Sequence, residues 1–162
     1  MGYSARFRTS YSIMETLDGL AISGPLYLIT ATQACNLCGK ENTIVALATK
    51  GLIDPDEPQE EGDGYLLSYV ADLPADVLEA VTKRQPNFEI RHSLTAESDY
   101  FMTICECGGH YGDHYVQKQI LNQAFRAPSE LKVEKLFDSG NWTIPCGYSQ
   151  SLEVGDLLDS QG

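Results

Sequence analysis

The sequence predicts a single β-rich α+β domain with one clear helix. Several short runs are rich in β-branched and aromatic residues, which is typical of strands. Four of the five cysteines form two close clusters, each followed by glycine and each flanked by such runs. One segment, at about residues 73–84, carries the start and stop signals of a helix.

Length and composition fit one folded domain. The 162 residues are enough to bury a core without disulfides, and 43% of them are apolar. Eleven Lys and Arg stand against 23 Asp and Glu, and the net charge of −12 disfavours binding to a nucleic acid backbone. Because there is no long apolar run and no signal-peptide pattern, we expect a cytoplasmic protein.

The first half of the chain predicts a strand, a tight turn and a second strand. Residues 25–34 and 43–49 are the two strands, and Cys35 to Gly39 form the turn, which we call the first knuckle. Residues 54–64 combine proline, glycine and carboxylates, which indicates a solvated loop. Another strand is expected at residues 65–70.

The helix at residues 73–84 has the clearest local signals. Pro74 lies where the first turn tolerates proline, and Lys83 and Arg84 lie where the helix dipole favours cations. Pro86 cannot continue the helix and therefore ends it.

The second half repeats the arrangement of the first. Strands at residues 88–92 and 100–104 lead to Cys105 and Cys107, which we call the second knuckle. We expect residues 111–116 to return as the other arm of a hairpin. The two halves of the domain would then mirror each other.

The last third of the chain gives weaker signals. Residues 117–127 fit either a short helix or an irregular segment, and residues 131–137 fit neither the helix nor the strand period well. Residues 149–162 contain three acids and no base, so we expect a loosely held tail or a short segment docked through its leucines. The sequence therefore places one zinc-stabilised domain at residues 1–148 and an acidic tail at residues 149–162.

Cys35, Cys38, Cys105 and Cys107 are the predicted metal ligands. Two pairs of cysteines in a reducing cytoplasm indicate metal binding before disulfides. Four thiolates on strand-framed turns favour zinc, as in zinc ribbons, with iron as the lesser alternative. A closed site of this kind is structural, since it leaves no position for water or substrate. The fifth cysteine, Cys146, is expected in the core or at its boundary.

The residues around both knuckles resemble a family of uncharacterised bacterial proteins. Residues 34–47 read Ala-Cys-Asn-Leu-Cys-Gly-Lys-Glu-Asn-Thr-Ile-Val-Ala-Leu, similar to the family's Cys-x-x-Cys-Gly-Lys-x-Thr-x-Val-Val-Ala-Leu. Residues 107–115 read Cys-Gly-Gly-His-Tyr-Gly-Asp-His-Tyr, similar to its Cys-Gly-x-x-x-Gly-Asp-x-Tyr-Leu. The resemblance covers about residues 26–128 and implies a zinc-ribbon-like β-rich domain with no established activity.

The resemblance leaves the fourth metal ligand open. The family's second knuckle usually reads Cys-x-x-Cys-Gly, so Cys107 matches it while Cys105 is displaced by one position. His92, His110 or His114 is the alternative ligand.

A catalytic alternative lies in His110, Asp113 and His114, which would serve a metal-dependent hydrolase together with some of the cysteines. The glycines among and before these residues argue against a helix. In an extended chain the two histidines would lie too far apart to share one ion. We therefore expect no catalytic residues here.

The preferred function is a non-enzymatic, zinc-stabilised acidic module that binds another protein. An example is an inhibitor or immunity-type partner of a basic effector such as a nuclease toxin, because an acidic surface steers a basic partner. A nucleic-acid-binding zinc ribbon is a third possibility, which the charge opposes. The predicted partner-binding carboxylates are Asp54, Asp56, Glu57, Glu60, Glu61 and Asp63.

Overall fold

The computed structural model describes residues 5–7, 19–53 and 62–161. Its strands are β1 (Ala5–Phe7), β2 (Leu20–Ala34), β3 (Glu41–Ile53), β4 (Gly64–Ser68), β5 (Phe88–Ser93), β6 (Ser98–Thr103), β7 (Lys132–Phe137), β8 (Asn141–Ile144) and β9 (Gly147–Ser151). Seven of them form an antiparallel sheet in the order β1-β9-β4-β3-β2-β7, with β8 paired to the first residues of β2. Strands β5 and β6 form a separate two-stranded sheet.

Three helices pack against the large sheet in the described ranges: α1 (Ala75–Arg84), α2 (Asp113–Arg126) and α3 (Leu152–Asp159). Helix α1 and the β5–β6 hairpin share one buried cluster with Leu28 and Val45, on one face of the sheet. Helices α2 and α3 share a second cluster with Ile29 and Ala46, on the other face. Because successive strand residues point to opposite faces, a sheet covered on both sides needs the continuous apolar runs of β2 and β3.

The β-rich fold and the helix at residues 73–84 are confirmed. Strands β2 to β6 correspond to the five segments predicted as strands, although β4 ends at Ser68 and β6 at Thr103, before the predicted ends. Helix α1 begins just after Pro74, and its Val77 and Val81 are buried against the sheet. The structure has two further helices, however, and these change the expected picture of the second half.

The prediction of a strand at residues 111–116 is wrong, because helix α2 begins at Asp113. The glycines do not interrupt this helix: Gly112 is the N-cap and the other two precede it. Val116, Ile120 and Ala124 recur at helical spacing and form the buried face. The second knuckle is therefore framed by a strand and a helix, and the two halves of the domain do not mirror each other.

The C-terminal residues also differ from the expected loose tail. The boundary at residue 148 falls inside β9, which lies between β1 and β4 in the sheet. Residues 152–159 form α3, whose Val154 and Leu158 are fully buried, so docking through apolar residues is what holds this segment. The Ser151 side chain accepts a hydrogen bond from the Val154 amide at 3.2 Å and caps the helix.

The segment at residues 131–137, which fitted neither period, contains the edge strand β7. None of its residues is fully buried, which agrees with its weak apolar pattern. None of the helices in the described part of the chain is long and apolar enough to cross a membrane.

Gly155 offers a test of how closely α3 docks. A Cβ there would lie 1.8 Å from the Gly62 carbonyl oxygen. Gly→Ala in a free helix stabilises by about 1 kcal/mol, but a backbone obstacle of this kind reverses the sign. We expect Gly155→Ala to lower the free energy of unfolding in urea by about 1–3 kcal/mol. Exposed Asp156→Ala in the same helix should change it by less than about 0.5 kcal/mol; stabilisation by Gly155→Ala would contradict the close docking.

Candidate metal centre

The first knuckle is a tight turn between the paired ends of β2 and β3. The Cys35 amide donates to the Lys40 carbonyl at 2.8 Å, and the Gly39 amide donates to the Cys35 carbonyl at 2.9 Å. Gly39 has a φ of +78°, a backbone conformation that residues with a Cβ rarely adopt. This turn places Cys35 and Cys38 on one side of the chain.

The second knuckle closes with the same pattern of hydrogen bonds, although one residue separates its two cysteines where two residues separate those of the first knuckle. The Cys105 amide donates to the Gly109 carbonyl at 2.7 Å, and the Gly108 amide donates to the Cys105 carbonyl at 2.9 Å. Gly108 has a φ of +92°. Ile104 and His110 form an antiparallel bridge that closes the base of the turn. The one-residue spacing is therefore compatible with a metal-binding turn.

The two knuckles bring four sulfur atoms together. Cys35 Sγ lies 3.6 Å from Cys107 Sγ, and Cys38 Sγ lies 3.6 Å from Cys105 Sγ. All four sulfurs lie within 4.8 Å of one another. Four thiolates at about 2.3 Å from a tetrahedral zinc are about 3.8 Å apart, whereas disulfide sulfurs are bonded at about 2.0 Å. The spacing fits a shared metal ion and not a disulfide.

Backbone amides in the turns favour the thiolate form of two of the cysteines. Hydrogen bonds from the backbone of Cys38 and then Leu37 lower the pKa of Cys35. The backbone of Cys107 is the largest cause that lowers the pKa of Cys105, to about 6. Thiolates are the form that binds a metal, so the turns prepare these sulfurs as ligands.

The pKa of Cys107 is shifted in the opposite direction. The Gly109 backbone lowers the pKa of Cys107, but contact with Cys35, desolvation and the other two sulfurs together raise it to about 12. Burial and hydrogen bonds with the neighbouring sulfurs favour the neutral thiol here, and a bound divalent cation would favour the thiolate instead. The donor set therefore fits a soft or borderline cation.

Polar contacts hold the knuckles together beside the sulfurs. The Tyr111 hydroxyl donates to the Gln33 carbonyl and accepts from Asn42 Nδ2, both at 3.0 Å. Lys40 Nζ and Glu106 Oε2 form an exposed ion pair at 2.7 Å across the two turns. Exposed pairs of this kind add little stability, so the buried tyrosine is the stronger of these contacts.

The histidines lie outside the sulfur cluster. His92, His110 and His114 are all exposed, and the ring of His92 is bonded to the Asp99 carboxylate at 2.7 Å. In the described ranges, the four cysteines are the only group of three or more Cys, His, Asp or Glu that converges on one point. The structure thus places Cys105, and none of the histidines, beside the other three cysteines as the fourth possible ligand.

Asp113 does not join the two nearby histidines either. Its carboxylate is buried and accepts a hydrogen bond from the Tyr69 amide, while its own amide donates to the Tyr100 hydroxyl at 3.0 Å. His114 lies in the first turn of α2, where the sequence predicted an extended arm. The expected separation of the two histidines along a strand is therefore wrong, but they still form no metal site with Asp113.

Most of the predicted partner-binding carboxylates lie outside the described residues: Asp54, Asp56, Glu57, Glu60 and Glu61. Asp63 is described, and its carboxylate accepts a hydrogen bond from Gln150 Nε2 at 2.8 Å. Asp63 therefore anchors β9 as well as adding charge. Cys146 is fully buried in the core, as predicted.

A cavity of about 930 Å³, which was not predicted from the sequence, lies beside the first knuckle. It lies between the β5–β6 turn, the first turns of α2 and the ends of β2 and β4. All three histidines line it. The close spacing of His110 and His114 was the one sequence signal that pointed to this region.

The buried carboxyl of Asp113 predicts a pH effect on stability. Burial raises its pKa to about 7, above the value of about 3.9 expected when unfolded. The protonated form is favoured in the folded state, so its contribution is fully present below about pH 4 and is lost as the pH rises through about 7. Asp113→Asn stays neutral and keeps an acceptor for the Tyr69 amide.

We expect the stability of Asp113→Asn relative to the natural chain to increase by more than about 1 kcal/mol between pH 5 and pH 8. Urea unfolding at each pH measures this difference. Asp138→Asn removes an exposed carboxylate and should show a nearly constant difference. A constant difference for Asp113→Asn as well would contradict the burial of a carboxyl with a raised pKa.

No family model, curated protein or solved structure matches this chain. The resemblance of residues 26–128 to a bacterial family stays a prediction. The four-sulfur cluster and its surroundings are therefore the basis for assigning a function.

Proposed function

We propose that Cys35, Cys38, Cys105 and Cys107 hold one Zn²⁺ ion in a closed structural site. The observation that carries this proposal is the convergence of four sulfurs within 4.8 Å. Tetrahedral sulfur sites suit zinc or iron, and zinc is favoured where no redox chemistry is required. The ion would join the β2–β3 hairpin to the segment between β6 and α2.

The domain that this ion stabilises is proposed to be a non-enzymatic acidic module that binds a basic protein. A site with four protein ligands leaves no open position for substrate, which supports a structural role. The net charge of −12 supports steering of a basic partner, such as an effector that the module inhibits. We do not propose the hydrolase, since Asp113 is buried away from His110 and His114 as described above.

Metal content tests the zinc site. The protein purified without added metal should contain one zinc per chain, and Cys38→Ser and Cys107→Ser should lose it together with the cooperative melting transition. A chelator should produce the same loss in the natural chain. Cys146→Ser and His114→Ala are the controls, because each removes a possible ligand outside the cluster; both should keep one zinc.

Either of two results would exclude the proposed site. One is a metal-free chain that melts at the same temperature with and without chelator. The other is loss of zinc in His114→Ala.

Partner binding is tested by capture of proteins from an extract at low and high salt. The natural chain should retain a protein of basic isoelectric point at low salt and release it as the ionic strength rises. Replacing Asp54, Asp56, Glu57, Glu60 and Glu61 by their amides should slow association at least about tenfold. The association rate is then measured directly with the purified captured protein.

A charge-matched control separates the effect of the carboxylates at residues 54–61 from the effect of the net charge. Five exposed acids elsewhere are replaced by their amides: Glu41, Glu79, Glu97, Asp138 and Asp156. If both variants slow association equally, the net charge and not the carboxylates at residues 54–61 is responsible. If neither variant does, the steering proposal fails.

A further inference from the structure

The cavity beside the first knuckle has an unusual charge for this protein. The chain carries 23 Asp and Glu against 11 Lys and Arg, yet none of the residues lining the cavity is acidic. Its basic side chains are Lys118 and the three histidines. Within a strongly acidic molecule, this concave surface is therefore suited to an anion.

Several polar groups of the lining are free to bind. In the described part of the chain, no carboxylate pairs with Lys118, His110 or His114, while His92 is held by Asp99. The side-chain oxygen of Gln33 is buried and has no hydrogen-bond partner. A buried acceptor left unsatisfied costs stability, but a ligand donor can reach this oxygen only if the Gln33 side chain moves, because the oxygen is closed to solvent.

Aromatic side chains form much of the remaining wall. Tyr69 and Tyr100 pack edge to face with ring centroids 5.0 Å apart, and Tyr115 is exposed at the cavity. Tyr69 has a φ of +50°, which is rare for a bulky residue and is held by the Asp113 carboxylate. Backbone strain of this kind is concentrated at ligand sites. Tyr100 is buried behind Tyr69, so the rings of Tyr69 and Tyr115 are the ones that offer stacking surfaces to a planar group.

We propose that this cavity binds a small heteroaromatic anion, with His110, His114 and Lys118 on its phosphate or carboxylate and the tyrosines on its ring. The volume of about 930 Å³ accommodates a ligand of nucleotide size. This binding site is additional to the proposed zinc centre and does not involve the cysteine sulfurs.

Two matched pairs of probes test the proposal by calorimetry. AMP is compared with adenosine, and nicotinate with nicotinamide, so that each pair differs in the anionic group. We expect at least one anion to bind with a dissociation constant below about 1 mM and its neutral partner to bind at least about tenfold more weakly. The pair that responds shows whether phosphate or carboxylate is preferred.

Variants of exposed residues locate the site without disturbing the core. Lys118→Ala and His110→Gln should each weaken binding of the anion about tenfold, whereas Lys83→Ala on α1 should leave it unchanged. Zinc content and melting temperature, measured on the same samples, should stay unchanged, which separates a failure here from a failure of the zinc proposal. The proposal is overturned if neither anion binds more tightly than its neutral partner, or if Lys118→Ala and Lys83→Ala behave alike.

Discussion

The candidate site depends on four sulfur atoms meeting from two turns that are far apart in the sequence. Cys35 and Cys107 are separated by 72 residues, yet their sulfurs lie 3.6 Å apart. Bringing such distant turns together costs chain entropy, and ionised thiolates at this distance also repel each other. A metal ion offsets both costs, which is why metal binding and folding are coupled in sites of this type.

The same constraint positions the rest of the site. Gln33 and Asn36 belong to the first knuckle and its strand, while His110 follows the second knuckle, and all three line the cavity. The Tyr111 hydroxyl links the two sides through the Gln33 carbonyl and Asn42. The two knuckles that carry the sulfurs thus also hold the walls of the cavity. If a metal joins the knuckles, its loss would alter the cavity as well.

Local sequence signals were enough for the elements that depend on local chemistry. The runs of β2 and β3, and the glycines after Cys38 and Cys107, indicate strands and tight turns because each residue type favours that backbone. The first turn of helix α2 was predicted as a strand, and residues 117–127 were left open between helix and irregular chain, because the glycines before Asp113 outweighed the apolar spacing of Val116, Ile120 and Ala124. Its N-terminus is set by tertiary contacts, in which Tyr69 and Tyr100 bind Asp113. The cavity depends on such long-range contacts throughout, so no single segment could predict it.

X-ray absorption at the zinc edge of the purified protein tests the central claim most directly. The account predicts four sulfur ligands at about 2.3 Å and no nitrogen or oxygen in the first coordination sphere. A nitrogen ligand would mean that a histidine replaces one of the cysteines and that the site differs from the one described. An oxygen ligand would mean an open position, and would contradict the structural role of the metal.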